Sequence, residues 1–117
     1  MPMRPFSYWM YPDTVQIRRV VHVESGGREV PKWTGEPEPE EPALVEHRRI
    51  DRVDGEGRAT IVTVYDVRMP MNRTIAVDDQ IVWTDANGQV RYLTAKAPSV
   101  PEGIGDIQYL TECVETQ

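Results

Sequence analysis

His22, His47 and Cys113 are the residues most readily placed in nucleophilic or general-base chemistry. A thiol needs a neighbouring base or positive charge to become a thiolate, and a catalytic histidine needs a partner that orients it. No local motif surrounds any of the three. His22 sits between Val21 and Val23, the setting of a structural histidine, and Cys113 reads as a small apolar filler. The stretch "DRVDGEG", residues 51–57, has the look of a calcium loop. Its Asp51 and Asp54 are separated by two residues, and the alternating oxygen ligands and closing glutamate of an EF-hand are missing. A tight turn explains Asp54-Gly55 without a metal, and no paired histidines or cysteines have zinc-ligand spacing. The expectation is a chain that is not an enzyme and uses no metal or cofactor.

Recognition chemistry is better represented. Phe6, Tyr8, Trp9 and Tyr11 are four of the nine aromatic residues, gathered in one short stretch between Pro5 and Pro12. Such an arm has two readings. It folds over its own domain, or it anchors a partner, because Trp and Tyr dominate interface hot spots and a proline-flanked segment loses little entropy on docking. Arg48 and Arg49 form a second candidate contact with Arg52 beside them, although Glu46, Asp51 and Asp54 interrupt the cluster. Trp83 and Tyr92, on adjacent strands, are a candidate stacking platform for a peptide or sugar. A fourth feature is "GEPEPEEP", residues 35–42. Its prolines forbid helix and favour extended geometry, and Glu36, Glu38, Glu40 and Glu41 repel one another. It is expected to be a solvated loop standing off the surface, as a plain connector or as a projection that lines an opening.

The elements that position these residues are strands. Ten prolines and eight glycines punctuate short runs rich in Val, Ile, Thr and Tyr. A first strand is expected over 14–23, with Val15 and Ile17 on one face, turned by "SGG" into "REVPKW", where Pro31 confines the return to an edge or an irregular strand. Residues 43–53 and 58–69 form a hairpin about "DGEG", the second strand carrying apolar residues on both faces and so covered on both sides. "TIAVDDQIVWTDANGQVRYLTA" reads as a short strand, a bend and a hairpin turned at Asn87-Gly88. "PSVPEGIGD" is a long polar loop and residues 107–116 a closing strand. The expected fold class is all-β: a small antiparallel β-barrel or sandwich of about seven short strands with long loops. The aromatic arm occupies 1–12 and a single β-domain 13–117.

Bulk composition limits the partners. The 117 residues suit one domain with one modest core. The formal charge is -6, but without Glu36, Glu38, Glu40, Glu41 and Glu46 the 19 acids fall to 14 against 13 bases, so the acidity is local. A chain of that balance is a poor nucleic-acid binder. One cysteine permits no intrachain disulfide and suits a reducing compartment. No run resembles a signal peptide or membrane span, so synthesis in the cytoplasm and no membrane partner are expected.

Four features, in their order, resemble the head-to-tail stopper (head-closure) proteins of the neck of long-tailed bacteriophages. They are "DTVQIRR" from Asp13; "VEHRR" with Val45, Glu46, Arg48 and Arg49; the hairpin at Gly55 and Gly57 leading into "VYDVRMP"; and Asp79 before the strand of Ile81, followed by the turn at Gly88. The resemblance covers roughly 13–116, and the Pro/Glu segment and aromatic arm depart from it. It implies a virion protein at the head–tail interface, assembled from copies of itself as a hexameric or dodecameric ring. Adaptor or portal proteins would lie on its head side and a tail terminator or tail tube on the other. Genomic DNA would pass through without sequence-specific binding. Other small β-proteins of the head or tail, and a stand-alone β-barrel binding module, are the alternative readings.

Overall fold

The computed structural model describes residues 10–33, 35–70, 73–103 and 108–116. These residues form nine strands: β1 (Asp13–Arg18), β2 (Val21–Ser25), β3 (Arg28–Lys32), β4 (Glu41–Val53), β5 (Ala59–Pro70), β6 (Gln80–Thr84), β7 (Val90–Ala95), β8 (Val100–Glu102) and β9 (Gln108–Glu115). Seven belong to one antiparallel sheet in the order β5-β4-β1-β6-β7-β9-β8, and β9 also pairs with β5. Six strands therefore close into a hydrogen-bonded ring, with β8 attached outside β9. The fold is all-β, as the strand pattern anticipates.

Alternation decides what the ring encloses. In the registered pairs Ile17↔Ile81, Ile81↔Leu93, Val15↔Trp83, Ala95↔Cys113 and Cys113↔Tyr65, partners point to one side of the sheet. That side is the interior, where Val15, Ile17, Val67, Ile81, Leu93 and Cys113 are wholly enclosed. Most are β-branched or Leu, types that pack well on a pleated surface. At about 25 cal/mol per Å² of apolar area removed from water, such burial is the main force holding the ring closed.

Two hairpins turn by the same chemistry. Asp54 Oδ1 accepts from the amides of Glu56 and Arg58, each at 2.9 Å, and Gly57 N donates to Asp54 O at 3.1 Å. Asp85 repeats the arrangement with the amides of Asn87 and Gln89, and Gly88 N donates to Asp85 O at 2.9 Å. Gly57 and Gly88 take φ of 80° and 79°, the left-handed region open to glycine without steric cost. The Asp54 carboxylate is thus occupied by backbone donors.

Some boundaries differ from expectation. The strand expected over 14–23 is broken at Arg19 and Val20, because both turn to the carboxylate of Asp79 and lead the chain out of the sheet. β2 and β3 then form a separate two-stranded sheet, with Pro31 opposite His22. No strand forms at 73–76; Ile75 is instead tied to Ser99, whose hydroxyl accepts from Ile75 N at 2.6 Å. β8 lies within the stretch read as a polar loop. β5 is covered on both faces only over Val64–Val67, and Ala59, Thr60, Ile61 and Thr63 are exposed.

That exposure has a geometric cause. β4 pairs with β1 only over Glu41–Ala43, and β5 pairs with β9 only over Tyr65–Pro70. Residues 48–53 and 59–64 pair with each other alone, so the β4–β5 hairpin runs past the ring as an arm. The described chain measures 53 × 34 × 32 Å. β2 and β3 leave the ring at the other end of β1.

Candidate functional site

The three residues with nucleophilic or basic chemistry are dispersed. His22 lies on β2, its Nε2 3.9 Å from Asp78 Oδ2. His47 lies exposed on β4 with its ring 6.3 Å from that of Tyr65. Cys113 is enclosed in the core, its thiol turned to the carbonyl of Thr111 at 3.8 Å. Burial, followed by the nearby Asp66 and Glu112, pushes that thiol up to about 12. A thiol so placed stays protonated and unreactive.

The densest polar chemistry sits at the end of the ring from which the arm projects. Arg91 of β7 donates from Nε to Glu115 Oε2 at 2.9 Å and from Nη2 to Glu115 Oε1 at 2.7 Å. Nη2 also donates to Tyr65 Oη at 2.8 Å. The guanidinium carbon lies 5.1 Å from the Trp83 ring centroid and 5.5 Å from that of Tyr65, within cation–π range. Trp83 Nε1 reaches Asp13 Oδ1 at 3.4 Å, while Asp13 Oδ2 accepts from Val45 N at 2.8 Å. Asp13, Tyr65, Trp83, Arg91 and Glu115 come from β1, β5, β6, β7 and β9, so nearly every ring strand contributes one. The hydrogen bond to Glu115 strengthens the protonation of Arg91, and the same bond holds the Glu115 carboxyl below its ordinary value. Donors and acceptors are matched to one another, so the cluster closes the end of the ring. Apart from Trp83, sequence reasoning passed over it; the available signal was inward-phased Arg91 and Glu115 beside inward aromatics.

The Trp83–Tyr92 stacking platform is corrected. Trp83 is directly opposite Arg91, whereas Tyr92 is opposite Val82, so the two aromatics lie on opposite faces of the sheet. Trp83 is interior and Tyr92 is exposed.

A second ionic network lies at the opposite end. Asp79, whose side chain is 2% exposed, accepts from Arg19 Nη1, Val20 N and Ala76 N, each at 2.9 Å. Asp78 before it takes φ of 70°, which aspartate tolerates better than most residues, and donates from its amide to Ala95 O at 2.9 Å. Arg19 also pairs with Glu38 at 3.0 Å, and Arg73 pairs with Glu38 and, at 2.5 Å, with Glu41.

The Pro/Glu segment is accordingly different from the free-standing loop expected. Glu38 N donates to Ile17 O at 2.8 Å, and Gln16 Nε2 donates to Glu38 O at 3.3 Å, so the segment lies along β1. Repulsion among its glutamates is offset by two arginines placed beneath them. The Arg73 hydrogen bond holds the Glu38 carboxyl below its ordinary value. Glu41 opens β4, and only Glu36 and Glu40 remain exposed.

The proposed contact residues separate in the same way. Tyr11 is buried, and its hydroxyl donates to Gln108 Oε1 at 2.9 Å. Burial, then the charge of Glu102, raises its pKa. At this residue the arm packs on its own domain, the first of its two readings. Phe6, Tyr8 and Trp9 lie outside the described residues. Arg48 lies on the outer face, joined to Asp66 at 2.9 Å and Glu112 at 3.1 Å across three strands. Arg49 is exposed on the arm and forms no side-chain hydrogen bond or ion pair among the described residues.

Among the described residues no group of His, Cys, Asp or Glu is arranged to hold a metal ion, and no helix is long and apolar enough to cross a membrane. No family model, curated protein or solved structure matches the chain.

Proposed function

We propose that this chain is a structural subunit of a bacteriophage virion, a head-to-tail stopper at the neck, where copies in a ring close the DNA channel after packaging and offer a surface for tail attachment. The observation that carries the reading is the β4–β5 arm. It leaves the ring with bare backbone edges, and its side chains Val53 and Ile61 are 73% and 68% exposed. A lone soluble domain gains nothing from such an extension and risks unwanted strand pairing through it. A subunit that completes its fold against neighbours needs one. The order of "DTVQIRR", "VEHRR", the Gly55–Gly57 hairpin and Asp79 supplies the virion context.

In a ring, Glu36 and Glu40 of each copy add to a repeated negative zone, and next to a channel that zone repels DNA phosphates. Portal or adaptor proteins on one side and tail proteins on the other are the partners of this reading. The deciding experiment is a reconstruction of virions from the phage that encodes the chain. Density for this fold is expected at the junction of capsid and tail, and particles with another protein there refute the assignment. Glu36→Gln with Glu40→Gln is expected to leave assembly intact and alter DNA retention; unchanged retention and infectivity remove the channel role.

A further inference from the structure

Besides the arm, the chain carries a second β-hairpin without a sheet neighbour. All five residues of β2 are exposed, and β2–β3 pairs with nothing else among the described residues. The two hairpins leave the ring from opposite ends of β1. Their side chains are complementary. On β2–β3, Glu24 stands directly opposite Glu29, both exposed. Like charges in a cross-strand pair are destabilising, so this face lacks a cation. The other face presents Val21 and Val23, 49% and 42% exposed, with Lys32 and Arg28 across from Val21 and Ser25. On the arm, one face presents Val53 and Ile61, and the other presents Arg52, exposed and without an ion pair among the described residues.

We propose that copies of this chain join head to tail, the bare edge of β4 in one copy adding to the bare edge of β2 in the next. Strand addition has a side-chain period of two, so one register sets both faces at once. It places Val53 beside Val23 on one face, with Ile61 and Val21 on that same face, and Arg52 beside Glu24 on the other, with Glu29 one strand further. The partner is a second copy because the Glu24–Glu29 face and the Arg52 face are fixed to opposite ends of one chain. Such a contact is heterologous and repeats from copy to copy until a ring closes or a filament grows. The inference rests on the reading of the chain as an assembly subunit and identifies the surfaces that join.

The test is sedimentation velocity on the full chain at up to about 1 mM, where even weak specific contacts are populated. The wild type is expected to self-associate, less so in high salt. Arg52→Glu and Glu24→Arg are each expected to weaken association roughly tenfold, as one attractive cross-strand pair becomes repulsive. Mixing the two variants restores it, because each arm then meets the opposite charge on the other variant. Both positions are exposed, and circular dichroism with melting checks the fold; Glu24→Lys replaces Glu24→Arg if that variant melts early. A monomeric wild type at the highest concentration overturns the contact. So does association that the swaps leave unchanged, or variants that do not recover on mixing. Finding the chain at the neck of virions while this test fails retires the hairpin contact and keeps the neck assignment; the converse result separates them the other way.

Discussion

Replacement of Asp79 is the sharpest probe of how this ring is held. Its carboxylate is almost fully enclosed and ties three segments: the exit of β1 through Arg19 and Val20, the 73–78 loop through Ala76, and the start of β6 in its own backbone. Asp79→Ala removes three charge-assisted hydrogen bonds. Each is worth about 1.5–3 kcal/mol when its donor stays dry. Arg19 is 41% exposed and recovers water, and Ala76 is also at the surface, so those two losses are largely discounted. Val20 N–H and the rearranged loop carry the rest, for a total of about 3 kcal/mol. Asp79→Asn keeps the shape and one acceptor. Its amide nitrogen, however, must face either Val20 N–H or the Arg19 and Ala76 donors, so about 1.5 kcal/mol is expected. Urea unfolding with an unchanged slope measures both, and the alanine variant should melt about 12 °C lower. The amide of Val20 should lose hydrogen-exchange protection in both variants. An alanine variant within about 0.5 kcal/mol of wild type refutes the claim that this carboxylate organises the end of the ring.

Three further outcomes follow from the same structure. Native Cys113 is expected to resist a thiol reagent at pH 8 and to react at once in denaturant, as read by thiol titration; rapid native reaction contradicts its enclosure. Glu38→Gln should destabilise the fold measurably, whereas Glu36→Gln and Glu40→Gln should be neutral, and equal effects at all three positions argue against the docked segment. Glu115 is held below its ordinary 4.5 by Arg91, so its stabilising contribution is complete above that value and is lost as pH falls through the folded value. Acid unfolding of Glu115→Gln should therefore have a shallower pH dependence than wild type in this range.

Local chemistry was readable in the sequence. The Asp-x-x-Gly turns at Asp54 and Asp85, the edge position of Pro31 and the two-sided burial of the middle of β5 follow from turn geometry and alternation. So does the role of Cys113 as core filler. What escaped was chemistry between distant segments. Glu38 is 19 residues from Arg19 and 35 from Arg73. Nothing in the run of glutamates announces that arginines wait beneath it. The break at Arg19 has the same origin, since the local sequence continues as a strand and Asp79, sixty residues on, takes the chain away. Arg91 and Glu115 were likewise ordinary surface charges until the ring brought Trp83 and Tyr65 around them.

The placement of β9 has a consequence for how the molecule is made. It pairs with both β5 and β7, and among the described strands no other pairs with both. During synthesis the earlier hairpins can form as they emerge, but the circuit stays open until residues 108–115 leave the ribosome. Such late, long-range pairing is slow, because distant segments must meet before any contact rewards them. For that interval the apolar inner walls of β5 and β7 face water, and chaperone capture or pairing between nascent chains competes with completion.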